Sequence, residues 1–205
     1  MPTTFLSKFI IWNAMLVWLG VFYYGPQWFP LSAPYELTPS FLDHAIPFLP
    51  TTAWIYQSLF FLLPLATFLQ PDRETLARFT SGFCCLVLTF SIFFWLCPTD
   101  LQLSVALVHS SWAYDHLVAA VDGRRNAFPS LHAALTTYAG LSIIRLYRGL
   151  PLICASVTFW SLALLVSTLT TKQHIMVDVG AGVIAGLVAY ALAFFKRITI
   201  RLRTA

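Results

Sequence analysis

The chain has 205 residues, 59% of them hydrophobic and only 10% charged, with a formal net charge of +4. A mean hydropathy of +0.76 excludes a water-soluble globular domain. The positive balance comes without any basic, aromatic-interleaved polar patch, so no nucleic-acid partner is expected.

Apolar stretches near the ~20 residues that cross a bilayer recur along the whole length. Their length and the lack of strand-like alternation favour helices over a barrel. They predict an all-α integral membrane protein, one domain over residues 1–205, built as a bundle of six transmembrane helices. The first span, Phe5–Tyr24, is long and no small-residue cleavage site follows it, so it reads as a retained helix. The loop Gly25–Pro50 carries Pro26, Pro30, Pro34, Pro39, Pro47 and Pro50, and no regular helix runs throughout it. Its apolar end, Ile46–Pro50, is too short to span. It reads either as an interfacial segment lining a lipid entrance or as a packed connection.

Thr51–Leu69 and Phe79–Leu96 are the second and third spans. Cys84 and Cys85 adjoin inside the third, while Cys97 and Cys154 sit in or near others. No metal-type spacing appears, and no structural disulfide is expected. In the loop Pro98–Ala127, Val105–Val121 reads as partly helical, with Trp112 and Tyr114 suited to a membrane interface. His109 and His116 there read as surface histidines.

The fourth span, Phe128–Leu146, opens on Phe128-Pro129-Ser130-Leu131-His132. Pro129 suits a first helical position, and the free amides of the next turn make an anion site. Ser130 adds a hydroxyl and His132 an imidazole. Arg124 and Arg125, just upstream, are placed to fold over a phosphate with bidentate contacts. The fifth span, Leu150–Thr170, runs into a hydroxyl-rich boundary containing Ser167, Thr168 and Lys172. The sixth, His174–Phe195, opens on His174-Ile175-Met176-Val177-Asp178, which puts His174 and Asp178 one helical turn apart. Gly182 and Gly186 in this span form a small-xxx-small stripe suited to close intramolecular packing.

Basic residues collect on the cytoplasmic side of membrane proteins. In a six-span arrangement Lys8, Arg73, Arg78, Arg145, Arg148, Lys196, Arg197, Arg201 and Arg203 share one side, leaving both termini cytoplasmic. Arg124, Arg125 and Lys172 break this pattern, beside the two histidine blocks, which calls for an anionic substrate. The histidines, His44, His109, His116, His132 and His174, fall on the same outer face. Catalysis is therefore expected on the periplasmic or lumenal side of a multi-pass membrane protein, in a bacterial inner membrane or its equivalent. Two histidines and a carboxylate suffice for covalent phosphoryl transfer. His174 attacks phosphorus, Asp178 orients it and offsets its charge, and His132 exchanges protons with the departing and entering oxygens.

Pro-Ser-x-His followed by a Ser-rich stretch and His-x-x-x-Asp resembles the type 2 phosphatidic acid phosphatase superfamily. The resemblance covers roughly Asn126–Gly186 and implies a six-helix enzyme that uses the second histidine as nucleophile. On this chain it implies catalytic roles for His174, Asp178 and His132, with Ser130 and Ser167 in the phosphate cradle. The family's first block, a Lys followed after six residues by Arg-Pro, has no counterpart here, and Thr168 stands where an Arg normally follows the motif serine. Arg124, Arg125 and Lys172 are the substitutes available. This departure is similar to the branch containing inositol phosphorylceramide and sphingomyelin synthases, which moves head groups to alcohol acceptors.

The expectation is thus a metal-independent, cofactor-free lipid phosphatase or phosphotransferase acting on a lipid phosphate or diphosphate. The alternatives are a head-group transferase and, in another class, a non-catalytic lipid transporter. A metal site is disfavoured because no His-x-x-x-His pair exists and arginine neighbours repel cations. Oligomeric state is open.

Overall fold

The computed structural model describes residues 3–101, 111–119 and 126–195, which are mostly helical. Helix α1 (Phe5–Trp28) is followed by strand β1 (Tyr35–Leu37) and the short α2 (Phe41–Ala45). Helices α3 (Ala53–Gln57), α4 (Leu59–Phe68) and α5 (Arg73–Leu96) come next, then strand β2 (Thr99–Leu101) and a π-helical turn at Tyr114–Ala119. Helices α6 (Leu131–Leu146), α7 (Pro151–Thr170) and α8 (Met176–Phe194) complete the order. Arg124, Arg125, His109 and the basic cluster Lys196, Arg197, Arg201 and Arg203 lie outside the described residues.

Among the described helices four are long and apolar enough to cross a membrane: α1, α5, α7 and α8. The expected second span is broken. Ser58 closes α3 by bonding back to the Ile55 carbonyl through both its N–H, at 3.0 Å, and its hydroxyl, at 2.6 Å. Pro64 then sits inside α4, where it has no N–H to give. The expected fourth span is shortened to the 16 residues of α6, because Ser130 caps it below Pro129. At its other end α5 starts six residues before the apolar run. Asp72 and Thr75 form a capping box there, and Arg78 pairs with Glu74 at 2.6 Å.

Helix α6 is the hub, packing against α8, α7, α4 and α5. Its buried Leu131, Ala134, Leu135, Tyr138 and Ile143 join Leu62, Leu63, Phe79, Phe83, Phe90 and Phe94 in one core. The Tyr138 hydroxyl is satisfied by the Phe79 carbonyl at 2.9 Å, so the ring is buried without an orphaned donor. Gly82 faces that ring. Phe9, Val17, Phe159 and Leu192 point outward, as lipid-facing positions do.

The proline-rich loop is tied to the rest of the chain at two points, while much of its surface, including Phe29, Leu31 and Phe41, stays exposed. β1 pairs in parallel with β2, Tyr35 opposite Thr99 and Leu37 opposite Leu101. Leu49 N–H reaches the Thr170 carbonyl at 2.9 Å, tying the loop to the end of α7. All four cysteines are free thiols.

Candidate active site

Both histidine blocks begin helices, and those beginnings are bonded together. Ser130 accepts the Ala133 N–H at 3.2 Å through its hydroxyl, as an N-cap does, and gives its own N–H to the Asp178 carbonyl at 3.1 Å. Close approach is possible because Gly182 and Gly186 face α6 with no side chain. A Cβ on Gly182 would strike the Ser130 carbonyl, and one on Gly186 would meet the Ala134 carbonyl at 2.5 Å. The glycine stripe expected to pack inside the molecule does so here.

His174 lies in the turn before α8, 7% exposed, and Asp178 is fully buried one turn later. The Nδ1 of His174 is 2.9 Å from the Ala127 carbonyl but 3.7 Å from Asp178 Oδ2. Only the first is a hydrogen-bond distance. The carboxylate expected to hold the ring is therefore close without being its hydrogen-bond partner. Asp178 Oδ2 instead accepts the Ile175 N–H at 2.9 Å, which caps α8. A carbonyl only accepts, so in the neutral ring Nδ1 carries the proton and Nε2 the lone pair. Asp178 still lies close to the ring, and a charge interaction weakens only gradually with distance.

His132, in the first turn of α6, stacks on Tyr56 with ring centroids 4.0 Å apart and 19° between planes. Its Nε2 is buried with no partner among the described residues. An unpaired buried nitrogen is costly in a merely structural histidine and useful in one that exchanges protons.

His132 and His174 line the same cavity, of about 300 Å³. The rest of its wall is largely apolar or aromatic. Leu16, Leu19, Gly20, Tyr23 and Tyr24 come from α1, Tyr56 and Gln57 from α3, and Leu59 and Phe60 from α4. Leu117, Asn126, Leu131 and Leu135 close it. Gln57 holds the π-helical turn in place through the Leu117 carbonyl. Asn126 takes a left-handed φ of 66°, which asparagine tolerates, and donates its amide to the Tyr23 carbonyl at 3.1 Å.

The other predicted phosphate ligands are placed differently. Ser167 is 1% exposed and gives its hydroxyl to the Leu164 carbonyl at 2.6 Å, and neither it nor Ser130 lines the cavity. Lys172 ends α7 in the left-handed region at φ 57°, and its ammonium donates to the carbonyls of Asp43 at 2.7 Å and Ile46 at 2.5 Å. Asp43 reciprocates across the same junction, with Oδ1 accepting the first N–H of α8, Met176, at 2.8 Å. Burial pushes the Asp43 carboxyl up, but Ser40, Met176 and the Lys172 ammonium outweigh it and hold the group below the usual aspartate range. Burial pulls Lys172 down, and Asp43 only partly restores it.

Lys172 is thus engaged in holding α2 onto the start of α8. Lys172→Met is expected to cost on the order of 1 kcal/mol in stability, because the ammonium is only part buried. Thermal unfolding with and without lipid phosphate checks this. An unchanged melting point with a tenfold higher KM would instead make Lys172 a phosphate ligand.

Sequence reasoning missed the Ala127 carbonyl, the Tyr56 stack and the Asp43 cap. Only the last had a signal: Ser40-x-x-Asp43 is a capping pattern, which marks α2 but not what α2 holds. No curated protein and no solved structure matches the chain. A family model described as the PAP2 superfamily matches residues 31–192, which include β1 and β2, both histidine blocks and the glycine stripe. The chain belongs to the PAP2 superfamily, whose members are phosphatases and phosphotransferases.

Proposed function

We propose that this protein cleaves a lipid phosphate or diphosphate through a phosphohistidine formed on His174, within a bundle that crosses the membrane six times. The observation that carries this reading is the shared cavity, lined by two histidines and otherwise by a largely apolar and aromatic wall. A phosphorylated head group with a hydrocarbon tail has that same division.

In the first step the Nε2 lone pair of His174 attacks phosphorus, forming a P–N bond as the P–O bond to the lipid breaks. His132 gives a proton to the departing oxygen. The imidazole becomes cationic, its Nδ1–H held by the Ala127 carbonyl and its charge offset by Asp178. In the second step an oxygen nucleophile attacks phosphorus and loses its proton to His132, and the P–N bond breaks. Ser130 acts from outside the cavity by capping the helix that carries His132, and Arg124 and Arg125 supply the cations that phosphoryl transfer requires. The site faces the periplasm or lumen, with both termini cytoplasmic.

The acceptor distinguishes two versions. Water as acceptor makes the protein a phosphatase, and a lipid or polyol alcohol makes it a head-group transferase. Purified protein incubated briefly with phosphorus-labelled phosphatidate and polyprenyl diphosphate, then quenched in base, is expected to carry acid-labile label on His174. Release of inorganic phosphate without added alcohol identifies the hydrolase, and product formed only with an alcohol identifies the transferase. Absence of both label and turnover across these lipids would sink the catalytic reading in favour of transport.

A further inference from the structure

We infer that α1 measures the hydrocarbon tail of the substrate, with Gly20 as the gap through which the tail passes. This rests on the lipid-phosphate reading above and adds a specificity-determining position to it. The cavity residues of α1 are Leu16, Leu19, Gly20, Tyr23 and Tyr24. They recur at i, i+3, i+4, i+7 and i+8, so one continuous face of the helix forms the wall. That face runs about 12 Å along the axis at 1.5 Å per residue.

Its two ends are chemically distinct. Tyr23 is tied through its carbonyl to Asn126, beside the histidine blocks. Leu16 lies two turns further in, and on α6 Leu135 likewise follows one turn inside His132. A phosphate held by the histidines therefore directs its tail along α1, past Gly20, toward Leu16.

Gly20 differs from Gly182 and Gly186 in having open space beside it, and from the equally open Gly180 in lining the cavity rather than the outer surface. Gly182 and Gly186 are required by contact with α6, whereas a Cβ on Gly20 would have nothing within 4 Å. Glycine inside a helix costs roughly 1 kcal/mol relative to alanine. No helix packing at Gly20 offsets that cost, and what the missing side chain leaves is room in the cavity. The occupant is a hydrocarbon tail because the space is continuous with the histidines and bounded by leucines and aromatic rings. Helix α1 also lies outside residues 31–192 matched by the family, so this wall is supplied by a part of the chain that the match does not cover.

The test is binding of butyl, octyl and hexadecyl phosphate to the full chain in nanodiscs, with partition into empty discs subtracted. Wild type is expected to favour hexadecyl over butyl phosphate by at least about 100-fold. Gly20→Leu is expected to lower that ratio at least tenfold, and Gly20→Ala by a smaller factor should the larger residue impair folding. Gly180→Leu, on an exposed part of α8 where a side chain meets nothing, is expected to keep the wild-type ratio. An unchanged ratio in folded Gly20→Leu overturns the inference, as does wild-type binding that ignores chain length. His174→Ala separates this idea from the catalytic one, because it abolishes turnover there and leaves the length ratio intact. Length-dependent binding without any turnover would keep the tail site and remove the enzyme.

Discussion

Replacing His174 with alanine is expected to cut turnover of lipid phosphate by at least about 10⁴-fold, as removal of a covalent nucleophile does elsewhere. The residue is 7% exposed and, among the described residues, its ring hydrogen-bonds the Ala127 carbonyl, so the variant loses that buried bond and leaves a small void. That loss amounts to about 1–3 kcal/mol, which a folded bundle survives. Activity and fold therefore separate, and the measurements are kcat alongside the thermal midpoint. Base-stable label on the protein should vanish with the activity. Retention of more than a tenth of wild-type turnover in a folded His174→Ala protein would remove His174 as the nucleophile.

Gly182→Ala is expected to lower turnover on the order of 100-fold, although no reacting atom touches Gly182. In an exposed helix the same change stabilises by about 1 kcal/mol through lower chain entropy. Here the added methyl would strike the Ser130 carbonyl and lie 3.0 Å from Ala133 Cβ and 3.2 Å from the Ala134 nitrogen. Two of these neighbours are backbone and cannot rotate aside. Overpacking of this kind costs about 1–3 kcal/mol, so the clash outweighs the propensity gain.

Relief requires α8 to move from α6, which stretches the bond from Ser130 N–H to the Asp178 carbonyl and separates the two histidine blocks. A displacement of about 1 Å in a reacting group is enough to cost on the order of 100-fold in rate. Gly180→Ala is the comparison, since nothing lies within 4 Å of its position and the propensity term should act alone. Should Gly182→Ala match Gly180→Ala in melting point and kcat, the contact between α6 and α8 does not register the site.

What could be read from the sequence follows the range of the interactions involved. His174 and Asp178 are local to one turn, and the glycine stripe is local to one helix, so spacing alone placed them. Topology put His132 and His174 on one outer face, and the fold brings the two rings to one cavity. The broken second span was less legible, because Thr51–Leu69 is apolar throughout. The break depends on a serine hydroxyl choosing the Ile55 carbonyl over solvent and on Pro64 being tolerated inside α4.

Lys172 was the residue whose placement changed most. Its charge and position beside His174 suggested phosphate, but two backbone carbonyls from a loop more than a hundred residues earlier receive its protons. Such pairings leave no trace in local spacing. The same holds for the parallel pairing of β1 with β2, formed by three-residue strands too short to announce themselves. The Ala127 carbonyl is invisible for another reason: it is main chain, and any residue type would supply it.

The clasp between α2 and the start of α8 also has a consequence in time. Asp43 and Lys172 are 129 positions apart, and a ribosome adding about 5–20 residues per second needs roughly 6–26 s to travel between them. For that interval the aspartate waits in a loop outside the membrane-spanning segments, where water can solvate its charge. The turn that carries His174 is held only once Met176, the first residue of α8, has been made and reaches Asp43. A chain interrupted between His132 and His174 has its first histidine block but not its second, and on the function proposed above it carries no nucleophile.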